Sequence, residues 1–346
     1  MRKQKTISFA YCLLSILLTL SCLTACERKH RESSFLMTTI VEITVVGNSG
    51  KSNSDIDMAF KEIERIDRLM NVYSEDSEIS RINNKAGIET VKVSEDTINV
   101  LTLALNLANK TEGALDITIA PLINLWGFGD DKHEIPPNDI IAKTIKFVDY
   151  TRLKLNSQEN TVFLHEKGMK IDVSGIAKGY AVDRAIQILK ERGVKNFLVN
   201  AGGDIYASGK PPGKDFWTIG IRHPRDSSKL LGVLKLKDKA VATSGDYENY
   251  FEVDGVRYCH ILNPRTGFPV TDIMSATIIA DTTAEADALA TAIFPMGADK
   301  GMKMAEEMPG VEVIIVTGLD ERNMKILKSS GIGEVIPAEF NMECNR

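Results

Sequence analysis

From residue 35 onward the chain switches repeatedly between two hydrophobic periods. Residues 35–46 set Ile40, Val41, Ile43 and Val45 in a near-alternating run, which predicts one strand closed by the turn Gly47-Asn48-Ser49-Gly50. The period then becomes helical: Ile56, Ala59, Phe60, Ile63, Ile66 and Met70 share a face, with Lys61, Glu62, Glu64 and Arg65 facing water and Asp55 placed to cap the start. A second helix is expected after Ser94, with Ile98, Leu101, Leu105 and Ala108 buried and Gly113 ending it. A third runs over 176–192 and is closed by Gly193, after a strand through Ile171 and Val173. Further strands are predicted at 197–200, 217–221, 230–236, 273–280, 311–317 and near 324–327. The Asp254-Gly255 pair marks a hairpin joining 250–253 to 256–259, and Thr282-x-x-Glu285 is a capping box for a helix through Phe294. No repeat and no Pro/Ser-rich linker interrupts residues 35–336, so one intertwined unit is expected.

Composition narrows the function classes. With 346 residues and 43% hydrophobic content, a sizeable core is available. The net charge of −5, with both signs interspersed, gives no basic footprint and excludes nucleic acid as an expected partner. The N-terminus stands apart: Arg2, Lys3 and Lys5 precede an apolar run over 7–20, and Leu23-Thr24-Ala25-Cys26 follows. That is an export signal over 1–25 with a lipobox-like end, in which Cys26 becomes the lipidated first residue; an ordinary signal peptide with an incidental Cys26 is the other reading. The polar residues 26–34 read as a tether to a domain over 35–346. Cys12 and Cys22 leave with the signal, so only Cys259 and Cys344 remain and no disulfide framework exists.

The chemistry concentrates in Asp172-Val173-Ser174-Gly175-Ile176-Ala177-Lys178-Gly179-Tyr180-Ala181-Val182-Asp183, a strand-to-helix turn matching neither the dinucleotide fingerprint nor the P-loop. Lys178 in the first turns of a helix opposes the helix dipole by about 0.3–1 kcal/mol, a conflict that an anionic ligand at the N-terminus removes. The corner Gly113-Ala114-Leu115-Asp116-Ile117-Thr118 and the tight turn Ala201-Gly202-Gly203-Asp204 are further binding edges, and Tyr73 is an aromatic in a polar loop. His260, taken singly, fits a hydrogen-bonded structural histidine. Asp287 and Thr291 lie four apart on a helix without Lys or Arg, beside Ala284 and Ala288. A buried Asp287 calls for a cation, and its oxygen donors favour a hard metal such as Mg²⁺.

In order along the chain, Tyr73-x-x-x-Ser77-Glu78-Ile79-Ser80-Arg81-Ile82-Asn83, the 113–118 corner, the 172–183 turn, the 201–204 turn, His260-Ile261-Leu262-Asn263-Pro264-x-Thr266-Gly267 and Asp287-Ala288-Leu289-Ala290-Thr291 together resemble the ApbE family of FAD:protein FMN transferases. The resemblance implies an α+β fold of mixed or antiparallel sheets flanked by helices, a single compact T-fold-like unit. It implies Mg²⁺-dependent transfer of FMN from FAD to a threonine or serine of an acceptor protein, with release of AMP, typically on membrane redox subunits of the Nqr and Rnf type. An FAD pyrophosphatase giving FMN and AMP, and a non-catalytic FAD-binding lipoprotein, are the alternatives. Carried over by position, the metal ligands are the Gly175 carbonyl, Asp287 and Thr291, and the flavin-nucleotide contacts are Met37, Tyr73, Ala114, Leu115, Asp116, Asp172, Lys178 and Ile261. Met37-Thr38-Thr39 departs from the Met-Gly-Thr frequent in the family. His260, or Asp172 in its place, is expected to handle the proton. Location follows the signal: exported, lipid-anchored to a bacterial membrane, facing the periplasm or cell exterior.

Overall fold

The computed structural model describes residues 28–47, 49–128, 134–332 and 338–339; the expected export signal, Cys26 and Cys344 lie outside these. Eight strands form one sheet: β1 (Arg28–Leu36), β2 (Thr39–Gly47), β3 (Phe197–Ala201), β4 (Asp204–Ser208), β5 (Lys239–Gly245), β6 (Ile273–Ala280), β7 (Glu312–Thr317) and β8 (Lys325–Lys328). They lie side by side in chain order and every neighbouring pair is antiparallel, so the sheet is a meander into which longer segments are inserted. The expected α+β class with antiparallel pairing is the one observed.

Both faces of the sheet are covered, and for that reason β6 is buried at all its positions, with Ser275 and Thr277 the two polar residues in an otherwise apolar strand. The helices are α1 (Ser49–Met70), α2 (Glu95–Lys110), α3 (Ser174–Glu191) and α4 (Thr283–Met296), with shorter ones between. Ile43, Val199, Ala242 and Ile278 belong to the core that includes the apolar positions of these four helices. Val241, Met274, Ile279 and Val316 instead join a second core with Trp217, Leu234 and Leu236 of a smaller sheet. A satellite cluster joins Trp126, Phe251 and Leu262, with Tyr258 packed against it. The Trp126 indole N–H donates to the Gly267 carbonyl at 2.8 Å, tying the 260–267 segment to the helix Ala120–Trp126.

Helix ends follow the sequence signals. Ser94 caps α2, and the Thr282 hydroxyl accepts the Glu285 N–H at 3.3 Å. Asp183 of α3 supplies a second cap, accepting the N–H groups of Thr283 and Ala284 at 2.8 and 2.9 Å. Burial pushes the Asp183 carboxyl up to about 6, opposed by these bonds. The two helices touch at Gly179, where a Cβ would stand 2.4 Å from the Thr283 carbonyl oxygen.

The structure departs from the sequence reading in several places. Residues 35–46 are a hairpin, with Met37 and Thr38 at φ 52° and 57° forming its two-residue turn. The expected tether is therefore corrected: residues 28–34 are strand β1, whose charged and polar side chains suit an exposed sheet edge. Helix α1 begins at Ser49, and Asp55 sits inside it, buried and ion-paired with Arg192 beyond the end of α3. Residues 171–173 belong to no ladder strand, and Val173, at φ −106° and ψ 11°, has already left the extended region. The Asn83 side-chain amide takes the place of a neighbouring strand, accepting the Ile171 N–H at 2.7 Å and donating to its carbonyl at 2.9 Å. Strand β5 and the helix Ala298–Glu307 had no counterpart in the sequence reading.

Candidate active site

A cleft of about 480 Å³ opens where the β1–β2 turn, the N-terminus of α3, the β3–β4 turn, the end of β5 and one face of α4 converge. Every site residue expected within the described chain lines it: Met37, Tyr73, Ala114, Leu115, Asp116, Asp172, Gly175, Lys178, His260, Ile261, Asp287 and Thr291.

The α3 N-terminus is held open toward the cleft. Val173 occupies the capping position without a side-chain cap, and Asp172 Oδ1 accepts the Ser174 N–H at 2.7 Å. The leg before it is fixed by Asn83 and by the Asp172 N–H donating to Ile117 O at 2.8 Å. Lys178 does not extend into solvent. Its Nζ lies 3.2 Å from Asp204 and 3.5 Å from Asp287, with the Ser174 carbonyl at 3.4 Å. Burial alone would lower its pKa, but the two carboxylates hold it above the ordinary lysine value. Burial and the neighbouring Asp287 charge also push Asp204 up, well above the usual carboxylate range.

The cation expected beside a buried Asp287 is supplied in part by the protein itself. Lys178 supplies one, and the Gly179 N–H adds a hydrogen bond to Asp287 Oδ2 at 3.1 Å. That second contact matters for Gly175. In a regular helix the Gly179 N–H serves the carbonyl four residues back, which is that of Gly175. Sharing this donor with Asp287 leaves the Gly175 carbonyl with spare acceptor capacity, and Gly175 lines the cleft. Thr291 is adjacent: a Cβ on Gly175 would stand 3.2 Å from Thr291 Oγ1, and Ser244 Oγ lies 3.3 Å from the same hydroxyl. The donor set is a carboxylate, hydroxyls and a carbonyl, all oxygen, which fits a hard divalent cation. Among the described residues no three His, Cys, Asp or Glu side chains cluster as a metal site, so a cation here draws on main-chain and hydroxyl oxygens.

His260 faces the same space, half-buried. Its Nδ1 lies 3.1 Å from the Asn249 carbonyl, which also accepts the His260 backbone N–H at 2.9 Å. With Nδ1 as the donor to that carbonyl, Nε2 is left as the acceptor. Surrounding protein bulk pushes the imidazole down to about 4, and the Lys178 charge adds to the effect, so the ring is neutral near neutral pH.

Other expected contacts do structural work. Asp116 accepts Thr118 N–H and O–H at 2.8 and 2.6 Å and Tyr150 N–H at 3.0 Å, so both its oxygens build the corner they line. Tyr73 is 67% exposed and stands between the cleft and a second, polar cavity of about 610 Å³ that also touches Asp172. The Met37 N–H donates to Asp67 at 3.3 Å, which anchors the left-handed turn. Sequence reasoning took Asp204 only as part of a tight turn, and it passed over Ser244 and Asn249 altogether. The signal for Ser244 was the small polar run Thr243-Ser244-Gly245-Asp246 at the end of the overlooked β5.

The model of the ApbE family matches residues 37–315. The chain is 34% identical over 328 residues to the FAD:protein FMN transferase of Vibrio cholerae serotype O1, covering 92% of this chain and 96% of that protein. It is 30% identical to the protein of the same name from Treponema pallidum, over 91% of this chain and 92% of that one. Among solved structures, the ApbE protein of Thermotoga maritima superposes with a TM-score of 0.81 at 35% identity, covering 88% of this chain and 98% of its own. The flavin transferase ApbE of Vibrio cholerae gives 0.80 at 31% identity, over 89% and 99%.

Proposed function

The chain belongs to the ApbE family, and we propose that it is an FAD:protein FMN transferase that moves the FMN half of FAD onto a threonine or serine hydroxyl of an acceptor protein. The observation that carries this reading is the convergence on one cleft of a neutral His260, a lysine held between two carboxylates and an all-oxygen donor set. Those parts suit phosphoryl transfer, in which positioning and charge neutralisation supply most of the acceleration.

In the reaction proposed, the acceptor hydroxyl oxygen bonds to the FMN-side phosphorus while the bond from that phosphorus to the bridging oxygen breaks. AMP departs with the bridging oxygen. His260 takes the hydroxyl proton at Nε2, oriented by the Asn249 carbonyl at Nδ1. Lys178 places positive charge beside the pyrophosphate, and Asp204 and Asp287 hold it there. Asp172, already committed to the Ser174 N–H, shapes the helix start and the wall beneath Tyr73. The Gly175 carbonyl, Asp287 and Thr291 would hold a Mg²⁺ ion. When bound, that ion supplies further charge neutralisation at the pyrophosphate oxygens.

We also read the chain as exported and lipid-anchored at Cys26, on the sequence pattern, with membrane redox subunits as the acceptor class. The test is incubation of the protein with FAD, Mg²⁺ and an acceptor domain, followed by mass spectrometry of the acceptor. An FMN-sized gain is expected. FMN and AMP appearing without that gain would favour the pyrophosphatase, and intact FAD would leave only a binding protein.

A further inference from the structure

The N-terminal hairpin joins the expected anchor to the cleft with almost no slack. Residues 28–36 are strand β1, so Glu27 alone separates Cys26 from folded structure. The strand is paired to β2 along its whole length, from Arg28 opposite Gly47 to Leu36 opposite Thr39. Side chains pin it at intervals. His30 Nε2 lies 3.1 Å from the Gly47 carbonyl, Arg31 pairs with Glu42, and the Lys29 ammonium sits 5.4 Å over the Trp217 ring. At its far end the Met37-Thr38 turn lines the cleft, with the Met37 N–H held by Asp67. One end of β1 is thus two residues in sequence from the expected anchor, and the other is at the cleft mouth.

We infer that β1 is a strut limiting how far the cleft stands from the lipid surface, so that the acceptor is a protein presenting its hydroxyl close to the same membrane. Eleven residue steps separate Cys26 from Met37, and an extended chain covers at most ~3.6 Å per step, which sets the reach of the cleft mouth at about 40 Å. Leaning of the strand brings the cleft nearer; nothing in the sequence between anchor and turn can carry it farther. Sites displayed well beyond that distance stay out of reach, whatever their local sequence. The inference rests on the lipid-anchor and transferase readings above and goes beyond both, since neither fixes a distance.

The test uses the full lipidated chain in vesicles of phosphatidylethanolamine and phosphatidylglycerol. An acceptor domain is displayed in the same vesicles on a coiled-coil spacer continuous with its transmembrane helix, at about 30 Å or about 120 Å, set by ~1.5 Å per residue. The near acceptor is expected to gain FMN, and the far one at least tenfold more slowly. A flexible insertion of about 200 Gly and Ser residues between Glu27 and Arg28, whose r.m.s. span of ~80 Å matches the difference, should restore the far acceptor. In detergent, where the two anchors share no surface, both acceptors should react alike. Equal rates for near and far acceptors in vesicles with the uninserted chain would overturn the strut. Absence of lipid on Cys26 overturns the anchor reading and the strut with it, whereas failure of both acceptors in detergent overturns the transferase reading instead.

Discussion

Lys178 of α3 and Asp287 of α4 face each other at 3.5 Å, and the next residue of α3, Gly179, donates its N–H to the same carboxylate. Asp204 completes the group from the β3–β4 turn. The arrangement makes the two ends of the pair unequal. Asp287→Ala leaves Lys178 neutralised by Asp204, so it should cost less than about 2 kcal/mol in stability, while transfer falls at least about 100-fold. Lys178→Met leaves two buried carboxylates facing one another and should cost about 3–5 kcal/mol. Thermal unfolding of both variants, beside mass-spectrometric transfer rates, checks the ranking; an equal loss of stability would contradict it.

His260 gives a pH signature. Its folded pKa lies near 4 against about 6.5 unfolded, so between those values the unfolded chain binds more protons and stability falls as pH drops through the window. As a base it stays neutral down to the same limit, so the acid limb of the transfer rate should lie near pH 4–5 instead of near 6.5. His260→Ala should remove that limb and flatten the stability change. Rate and unfolding profiles from pH 4 to 8 report both.

Gly179→Ala runs against helix propensity. An alanine in mid-helix ordinarily stabilises by about 1 kcal/mol relative to glycine. Here the added methyl meets backbone, 2.4 Å from Thr283 O and 2.7 Å from Ala284 Cα, so α3 and α4 must separate. The expected outcome is a net destabilisation of about 1–3 kcal/mol and loss of transfer, because the Asp287 contact moves with α4. Circular dichroism melting and the FMN-transfer assay measure the two effects.

Tyr73 is exposed enough that its removal should leave the fold intact. As a wall of the cleft it offers a ring to a planar ligand. Tyr73→Ala should weaken FAD binding by about 1 kcal/mol, roughly fivefold, while Tyr73→Phe retains it. Titration of flavin fluorescence against each variant is the measurement, and an unchanged affinity in the alanine form would remove Tyr73 from the binding surface.

Arg225 tests how His260 is oriented. Both Asp246 oxygens accept Arg225 N–H groups at 2.7 Å, and Asp246 lies between Ser244 and Asn249, whose carbonyl holds the imidazole. Arg225→Met leaves Asp246 only the more distant Arg257 at 3.6 Å and should cost about 1.5–3 kcal/mol. Transfer should slow even where the protein stays folded, with FAD affinity little changed. Melting temperature and a split of kcat from KM distinguish the two effects.

Local patterns in the sequence were enough to define β6, the 250–259 hairpin and the caps of α2 and α4, because each depends on residues within a few positions of one another. The ordered motifs also marked the residues that line the cleft, since binding chemistry restricts side-chain type at those positions. Tertiary structure decided the rest. Polar β1 carries no apolar period of its own and becomes a strand only because β2 presents a free edge. The 171–173 leg reads as a strand by composition, yet Asn83, eighty-eight positions away, satisfies its backbone. Whether Lys178 meets water, phosphate or protein was likewise open in the sequence. It was settled by the packing of Gly179 against Thr283, which brings α4 and its carboxylate close enough to share the lysine with Asp204.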